Sequence, residues 1–437
     1  MKQLLEHARI VETKGGAFHT IENGYLGIDG DTICYLSAEA PADIDSYESR
    51  KDLSGKLLIP GLINCHCHSP MVLLRGVGSD LCLQEWLFDN IFPVEDRLEQ
   101  IPDGIKVGSE LALLEMLAAG VTSFTDMYMQ PEKTAEAVIA SGMKANICRP
   151  VQCFDPSERY EDSFRVRQSL ELFDRYHMAA NGRLRIDFAI HAEYTCKDHI
   201  TEAYSRDCAD RGARMHIHLS ETKKEHEECK QKFGKTPAEY FLAMGTFESP
   251  TTAAHCVWTE PKDWEIFKQK GVSPVHNPSS NMKLGSGFAP VHEMLQEGIN
   301  VTLGTDGAAS NNNLDMLEEL HLASIIHNGY HNDPTILPPA QVLKMATQNG
   351  AACQGRSDTG ALCVGKKADI VALDLSKPHM RPAFEPLSAI AYQAQGSDVY
   401  MTMADGRILY ENGIYLTMDK ERIYHDYDRI LAELYGG

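Results

Sequence analysis

Residues 57–70 read "LLIPGLINCHCHSP", an apolar run that ends on two histidines separated by a single residue. Side chains alternate across an extended strand, so His66 and His68 would share one face while Cys65 and Cys67 take the other. Two imidazoles aimed at one spot are half of a metal site, although His-x-His also arises by chance in a histidine-containing chain. The chain must supply the missing ligands, and some architecture must bring them here.

Eight short β-prone runs recur, each followed by a polar turn and a helical pattern. They are "KLLIPGLIN" (56–64), "GVTSFTDM" (120–127), "KANICRPV" (144–151), "RLRIDFAIHA" (183–192), "ARMHIHLSE" (213–221), "TTAAHC" (251–256), "GVSPVHNP" (271–278) and "INVTLGTDG" (299–307). Between them lie amphipathic segments such as 104–120, 131–142 and 201–212, with apolar residues at helical spacing. Strand and helix alternating in this way predict an α/β fold, a (β/α)₈ barrel over 57–361. Residues 1–56 and 362–437 share another texture, short strand-like pieces broken by Gly and Asp, and predict one small β-sandwich domain assembled from both termini. The stretch 419–437 adds an amphipathic helix with a glycine stop.

In a parallel barrel the active site is built at the C-terminal ends of the strands. His66 and His68 end the first run, His191 the fourth, His218 the fifth, His255 the sixth, His276 the seventh and Asp306 the eighth. His66, His68, His218 and Asp306 make a three-imidazole, one-carboxylate set suited to one divalent first-row metal with an open position for water: zinc by first preference, iron or manganese by second. The plain alternative for each is a barrel-interior side chain bonded to a neighbour. Glu221 follows His218 by three, so the strand must end and the loop must carry the carboxylate back over the metal, a place for a proton shuttle. His255 could orient the attacking water or stabilise charge on it. The fourth run offers no lysine to bridge a second ion, which favours a mononuclear site. His216 forms a second His-x-His with His218 and, lying deeper, reads as a layer-filling residue. Cys65 and Cys67 should face the outer helices.

Composition sets the bounds. The chain has 437 residues, 43% hydrophobic and 24% charged, enough for one large and one small domain and unlike a disordered chain. Its net charge of −21 would repel a phosphate backbone, which excludes nucleic acid as an expected partner. No apolar leader or bilayer-length run is present, so a cytoplasmic protein without membrane attachment is expected. The twelve cysteines are scattered with no Cys-x-x-Cys pair, and reduced, buried thiols are expected rather than a disulfide framework.

"PGLINCHCHSPMVLLRG", "EWLFDNIFPVEDRL", "HIHLSET", "AAHCV", "HNPSSNMKLGSGFAPV" and "TLGTDGAASNNNLD" resemble the amidohydrolase superfamily, and within it the 5-methylthioadenosine/S-adenosylhomocysteine deaminases, over nearly the whole chain. The resemblance implies hydrolytic deamination at C6 of an adenine ring. It implies that His66, His68, His218 and Asp306 bind the metal, that Glu221 protonates the ring nitrogen, that Asp306 takes the proton of the attacking water, and that His255 stabilises that water. Trp86 and Glu95 would lie in the loop after strand one, where a carboxylate can accept from both ribose hydroxyls. His191 and Ser310 would contact the nucleoside. Arg149, with Arg159 or Arg165, would read a homocysteine carboxylate. A small-molecule nucleoside is the expected partner, with a homo-oligomer implied by resemblance alone. Two other readings compete: deamination or dechlorination of another heterocycle such as guanine or a triazine on the same site, and a non-catalytic scaffold on the same fold.

Overall fold

The computed structural model describes residues 1–81 and 83–436; Cys82 lies outside the described residues. Barrel strands one and two are Leu62–Cys67 and Val121–Met127. Strand three runs as Lys144–Cys148 and then Pro150–Val151, and strand four as Leu184–Ile186 and then Phe188–Ile190. Met215–Leu219, Thr251–His255, Ser273–His276 and Thr302–Leu303 complete the set. All neighbours pair in parallel. The breaks in strands three and four coincide, so the first halves pair with each other and the second halves with each other. Pro150 has no N–H to give the ladder, and Arg149 sits at the interruption, free to leave the wall.

The wall closes between strands eight and one. Asp306 N–H donates to the His66 carbonyl at 2.9 Å, and Asn64 and Thr305 exchange bonds through Asn64 Oδ1 at 3.1 Å and Nδ2 at 2.7 Å. Gly304 permits the approach, because a Cβ there would lie 2.8 Å from the His66 nitrogen. The helix Gln348–Cys353 and the residue after it plug the barrel floor. Asn349 donates to the Val301 carbonyl, Gln354 bonds Ser123 and Thr125, and Cys353 lies 3.3 Å from Thr252 Oγ1. The amphipathic segments form the helices Gly104–Ala118, Pro131–Ser141 and Asp198–Asp210 on the outside.

The first apolar run divides between two sheets. Lys56–Pro60 pairs antiparallel with Ile370–Asp374, whereas Leu62–Cys67 enters the barrel. Gly61 marks the crossing, where a Cβ would overlap the Thr122 side chain. The two termini thus build one sheet of nine strands, from Lys2–Lys14 through Ile414–Tyr415. It folds over on itself: Ile33 N–H reaches the Lys366 carbonyl, and Leu5, Ile10, Ile28 and Leu58 share a core with Ile370, Met401 and Met403. The sandwich expected from the sequence is therefore a single sheet closed on its own inner face. The C-terminal helix Lys420–Tyr435 packs on the barrel helix Gly104–Ala118, with Arg422 bonded to Glu110 at 3.0 Å. Among the described residues, no helix is long and apolar enough to cross a membrane.

Candidate metal and active site

Strand one does not alternate as its sequence suggests. Asn64 pairs with Phe124 and Cys67 with Asp126, so Cys65 and His66 together stand opposite Thr125 in a β-bulge. Both therefore face the barrel interior. Cys65 packs on the floor with Val275, Ala351 and Cys353, and only Cys67 joins the core beneath the outer helices. The expectation that both cysteines turn outward is corrected by that one extra residue. His276 ends its strand as expected but lies away from the cluster: it pairs with Leu303 on the outer face, and its Nε2 lies 3.1 Å from His327 Nε2 of the helix Met316–His331.

The remaining strand-end residues converge because the backbone turns there. Ser220, His255 and Asp306 all have left-handed φ, of 48°, 72° and 63°. Such conformations are uncommon for residues with a Cβ and recur where strands must re-aim side chains at a site. Donor atoms of His66, His68 and His218 lie within 4.8 Å of one another, as do those of His66, His255 and Asp306. Asp306 Oδ1 is 3.4 Å from His66 Nε2 and 3.3 Å from His68 Nε2. His68 and His218 each give Nδ1–H to a main-chain carbonyl, of Met127 and His191, which turns Nε2 toward the cluster. His66 Nε2 is buried with no hydrogen-bond partner. An orphaned, inward-facing nitrogen among two more imidazoles and a carboxylate fits a divalent ion.

Charge within the cluster is partitioned sharply. Burial would raise Asp306, but His66 and His68 beside it hold its carboxyl well below the usual carboxylate range. Burial would lower His68, yet Asp306 draws it up to about 9, while burial takes His66 down to about 4. His191 and His218 also fall, through burial first and neighbouring histidines second.

Glu221 comes over the cluster as the spacing required, because the chain reverses at Ser220. Thr222 and Glu225 form a capping box on the helix Lys223–Phe233, and Glu225 Oε2 accepts from Glu221 N–H at 2.8 Å, pinning the loop. Glu221 faces His255 Nε2 at 3.7 Å, and burial raises its carboxyl. His255 gives Nδ1–H to Asn281 Oδ1 at 2.9 Å, so its Nε2 is fixed toward Glu221 and the cluster. Asn281 and Ser280, which donates to Asp306 Oδ2 at 2.6 Å, come from the helix Pro278–Lys283 and were not singled out in sequence. The sequence carried a signal for Glu225, since "TKKE" is a capping-box pattern, but none for Asn281 beyond its place in a quoted motif.

Above the cluster opens a cavity of about 260 Å³. His68, His191, His218, Glu221, His255 and Asp306 form its base, and Trp86, Glu95, Tyr128, Arg149 and Arg165 stand around it. Trp86 is buried and donates from Nε1 to the Val77 carbonyl at 3.2 Å. Burial raises Glu95 to about 7, against the opposing pull of Tyr128 and His68. Arg149 is anchored by Gln168 at 2.8 Å and is lowered to about 10 by burial and by Arg165. Two expectations fall elsewhere. Arg159 is 71% exposed, paired with Glu161 and Asp162, and is not part of the cavity lining. Ser310 donates to Asp306 Oδ2 at 2.8 Å, so it braces the carboxylate from behind and does not line the cavity.

The amidohydrolase family matches residues 57–409 of the chain. The chain is 41% identical to the 5-methylthioadenosine/S-adenosylhomocysteine deaminase of Acetivibrio thermocellus, over 97% of each chain. It is 40% identical to the 5′-deoxyadenosine deaminase of Methanosarcina acetivorans, over 95% of this chain and 94% of that one. The crystal structure of an adenosine deaminase from Xanthomonas campestris with bound zinc superposes with a TM-score of 0.92 at 28% identity, covering 100% of this chain and 99% of that one. With the strand-end histidines, Asp306 and the split terminal sheet in place, the chain belongs to the amidohydrolase family.

Proposed function

We propose that the protein is a metal-dependent deaminase that converts the 6-amino group of adenosine analogues, among them 5′-methylthioadenosine, S-adenosylhomocysteine and 5′-deoxyadenosine, to the inosine analogue and ammonia. The observation that carries this is one cavity holding a metal-type donor set at its base, Glu221 beside it and a buried Glu95 on its wall. The names borne by the relatives point to the same substrates.

His66, His68, His218 and Asp306 would hold one divalent ion, zinc by preference, since that ion is bound in the similar adenosine deaminase structure. The ion supplies Lewis acidity and an activated water nucleophile at neutral pH. Asp306, held below the carboxylate range, takes the water proton with its second oxygen steadied by Ser280 and Ser310. Glu221, raised by burial, keeps a proton available for the ring nitrogen beside the attacked carbon. His255, oriented by Asn281, stabilises charge developing on the attacking water. Glu95 accepts from the ribose hydroxyls, Trp86 bounds the sugar, and His191 contacts the nucleoside. Of the two alternatives left open beside Arg149, Arg165 lines the cavity and Arg159 does not, so Arg149 and Arg165 are the groups available to a substrate carboxylate.

The test is an ultraviolet assay for adenine-to-hypoxanthine conversion on adenosine, 5′-deoxyadenosine, methylthioadenosine and S-adenosylhomocysteine with zinc-loaded protein. Turnover is expected on at least one 5′-modified analogue; inertness toward all four overturns the proposal. Arg165→Met is expected to lower kcat/KM for S-adenosylhomocysteine selectively. An equal loss on methylthioadenosine removes the carboxylate-reading role.

A further inference from the structure

The three ligand histidines differ in what holds the nitrogen that faces away from the metal. Met127 and His191 supply main-chain carbonyls to His68 and His218, and a carbonyl can only accept. His66 has another imidazole instead. Its Nδ1 lies 2.9 Å from His216 Nε2, both rings are fully buried, and the rings meet at 61°. His216 sits on strand five, two residues before His218 and one layer deeper in the barrel. Its own Nδ1 is buried with no partner.

We propose that His216 is a positioning residue for the metal site, accepting the Nδ1–H of His66 through Nε2 and so fixing the tautomer that leaves His66 Nε2 open to the ion. Only one proton arrangement permits ligation. His66 Nε2 points at Asp306 and must keep its lone pair, so the ring proton is on Nδ1. His216 Nε2 must then accept, and the His216 proton must sit on Nδ1, where nothing receives it. A residue present only to fill the layer would be apolar and would leave no unpaired donor in the core. The lock also differs from the other two in kind. An imidazole can reverse its role, so in the metal-free protein His66 Nε2–H can bond Asp306 Oδ1 while His216 donates to His66. A carbonyl allows no such reversal.

This inference rests on the metal reading of the cluster and is independent of substrate. Zinc-loaded wild type, His216→Leu and His216→Gln are challenged with excess chelator, zinc release is followed, and the melting temperature of each stripped protein is measured. His216→Leu is expected to release zinc about ten- to a hundred-fold faster, the range for loss of a ligand's hydrogen-bond partner. His216→Gln, whose Oε1 can accept in place of Nε2, is expected to release it close to the wild-type rate, and the stripped proteins should melt alike. Release from His216→Leu at the wild-type rate overturns the proposal, as does equal acceleration in Leu and Gln. Should His216→Leu fail to fold, His216→Met takes its arm. A wild type that retains no stoichiometric zinc defeats the metal reading itself, an outcome distinct from either.

Discussion

Glu221 and Glu95 are two buried carboxyls in one cavity with different proposed tasks, and substitution separates them. Glu221→Gln is expected to lower kcat by about 10²- to 10⁴-fold, the usual weight of a proton-transferring group, with little change in zinc content measured by elemental analysis. Glu95→Gln should act on binding. A charge-assisted hydrogen bond contributes about 1.5–3 kcal/mol, so KM for methylthioadenosine should rise about ten- to a hundred-fold while kcat changes less. Because burial raises Glu95 to about 7, wild-type KM should also climb as pH falls through 7, where the carboxylate takes up its proton. In Glu95→Gln that dependence should be flat, and a persistent wild-type slope would assign it to another group. At this scale the sequence was informative about residue type and strand-end position: His66, His68, His218, His255, Glu221 and Asp306 do meet. It was silent on direction. Cys65 was assigned outward by alternation, and a bulge turned it to the floor; His276 was placed only at a strand end, and strand parity puts it on the outer face.

Whole elements hold the site through a few contacts between loops and helices. Glu319, on the helix after strand eight, accepts from Ser279 N–H at 3.1 Å and thereby ties that helix to Pro278–Lys283, which presents Ser280 and Asn281. Burial raises its carboxyl from the ordinary 4.5 to about 8. The folded state therefore binds its proton more tightly than the unfolded chain. That stabilisation is complete below about 4.5 and is lost as pH rises through about 8. Glu319→Gln, neutral at every pH and still an acceptor, should remove this dependence, seen as a melting temperature that overtakes wild type between pH 6 and pH 9. Gly304 tests the closure of the wall. A methyl group 2.8 Å from the His66 nitrogen must displace strand one or strand eight, so Gly304→Ala should cost about 1–3 kcal/mol in denaturant unfolding and loosen metal retention. No loss of either would show that the seam can shift. Helix and strand spans were legible from periodicity because each buries one face. The plug helix Gln348–Cys353 was not, because a short helix buried against a barrel floor lacks a polar face to set its period.

For the whole molecule, the donors come from strands one, five and eight, so an ion there joins the two edges of the closing seam to the opposite wall. A ligand that binds only the folded state stabilises it by mass action. Stripping the metal should lower the melting temperature, and restoring zinc should recover it; equal melting with and without metal would separate the site from barrel stability. The terminal sheet adds a second closure, since Lys56–Pro60 pairs with Ile370–Asp374 before the chain enters the barrel. By itself the sequence determined the alternation of eight strands with helices, the residue types of the candidate donors and their strand ends, and the pairing of the two termini into one β-domain, because these depend on local pattern and residue chemistry. Only the tertiary structure decided that the first apolar run serves two sheets, that Arg165 and not Arg159 reaches the cavity, and that His216 stands behind His66. Those outcomes depend on bulges, left-handed residues and contacts between segments far apart in the chain, which no local spacing encodes.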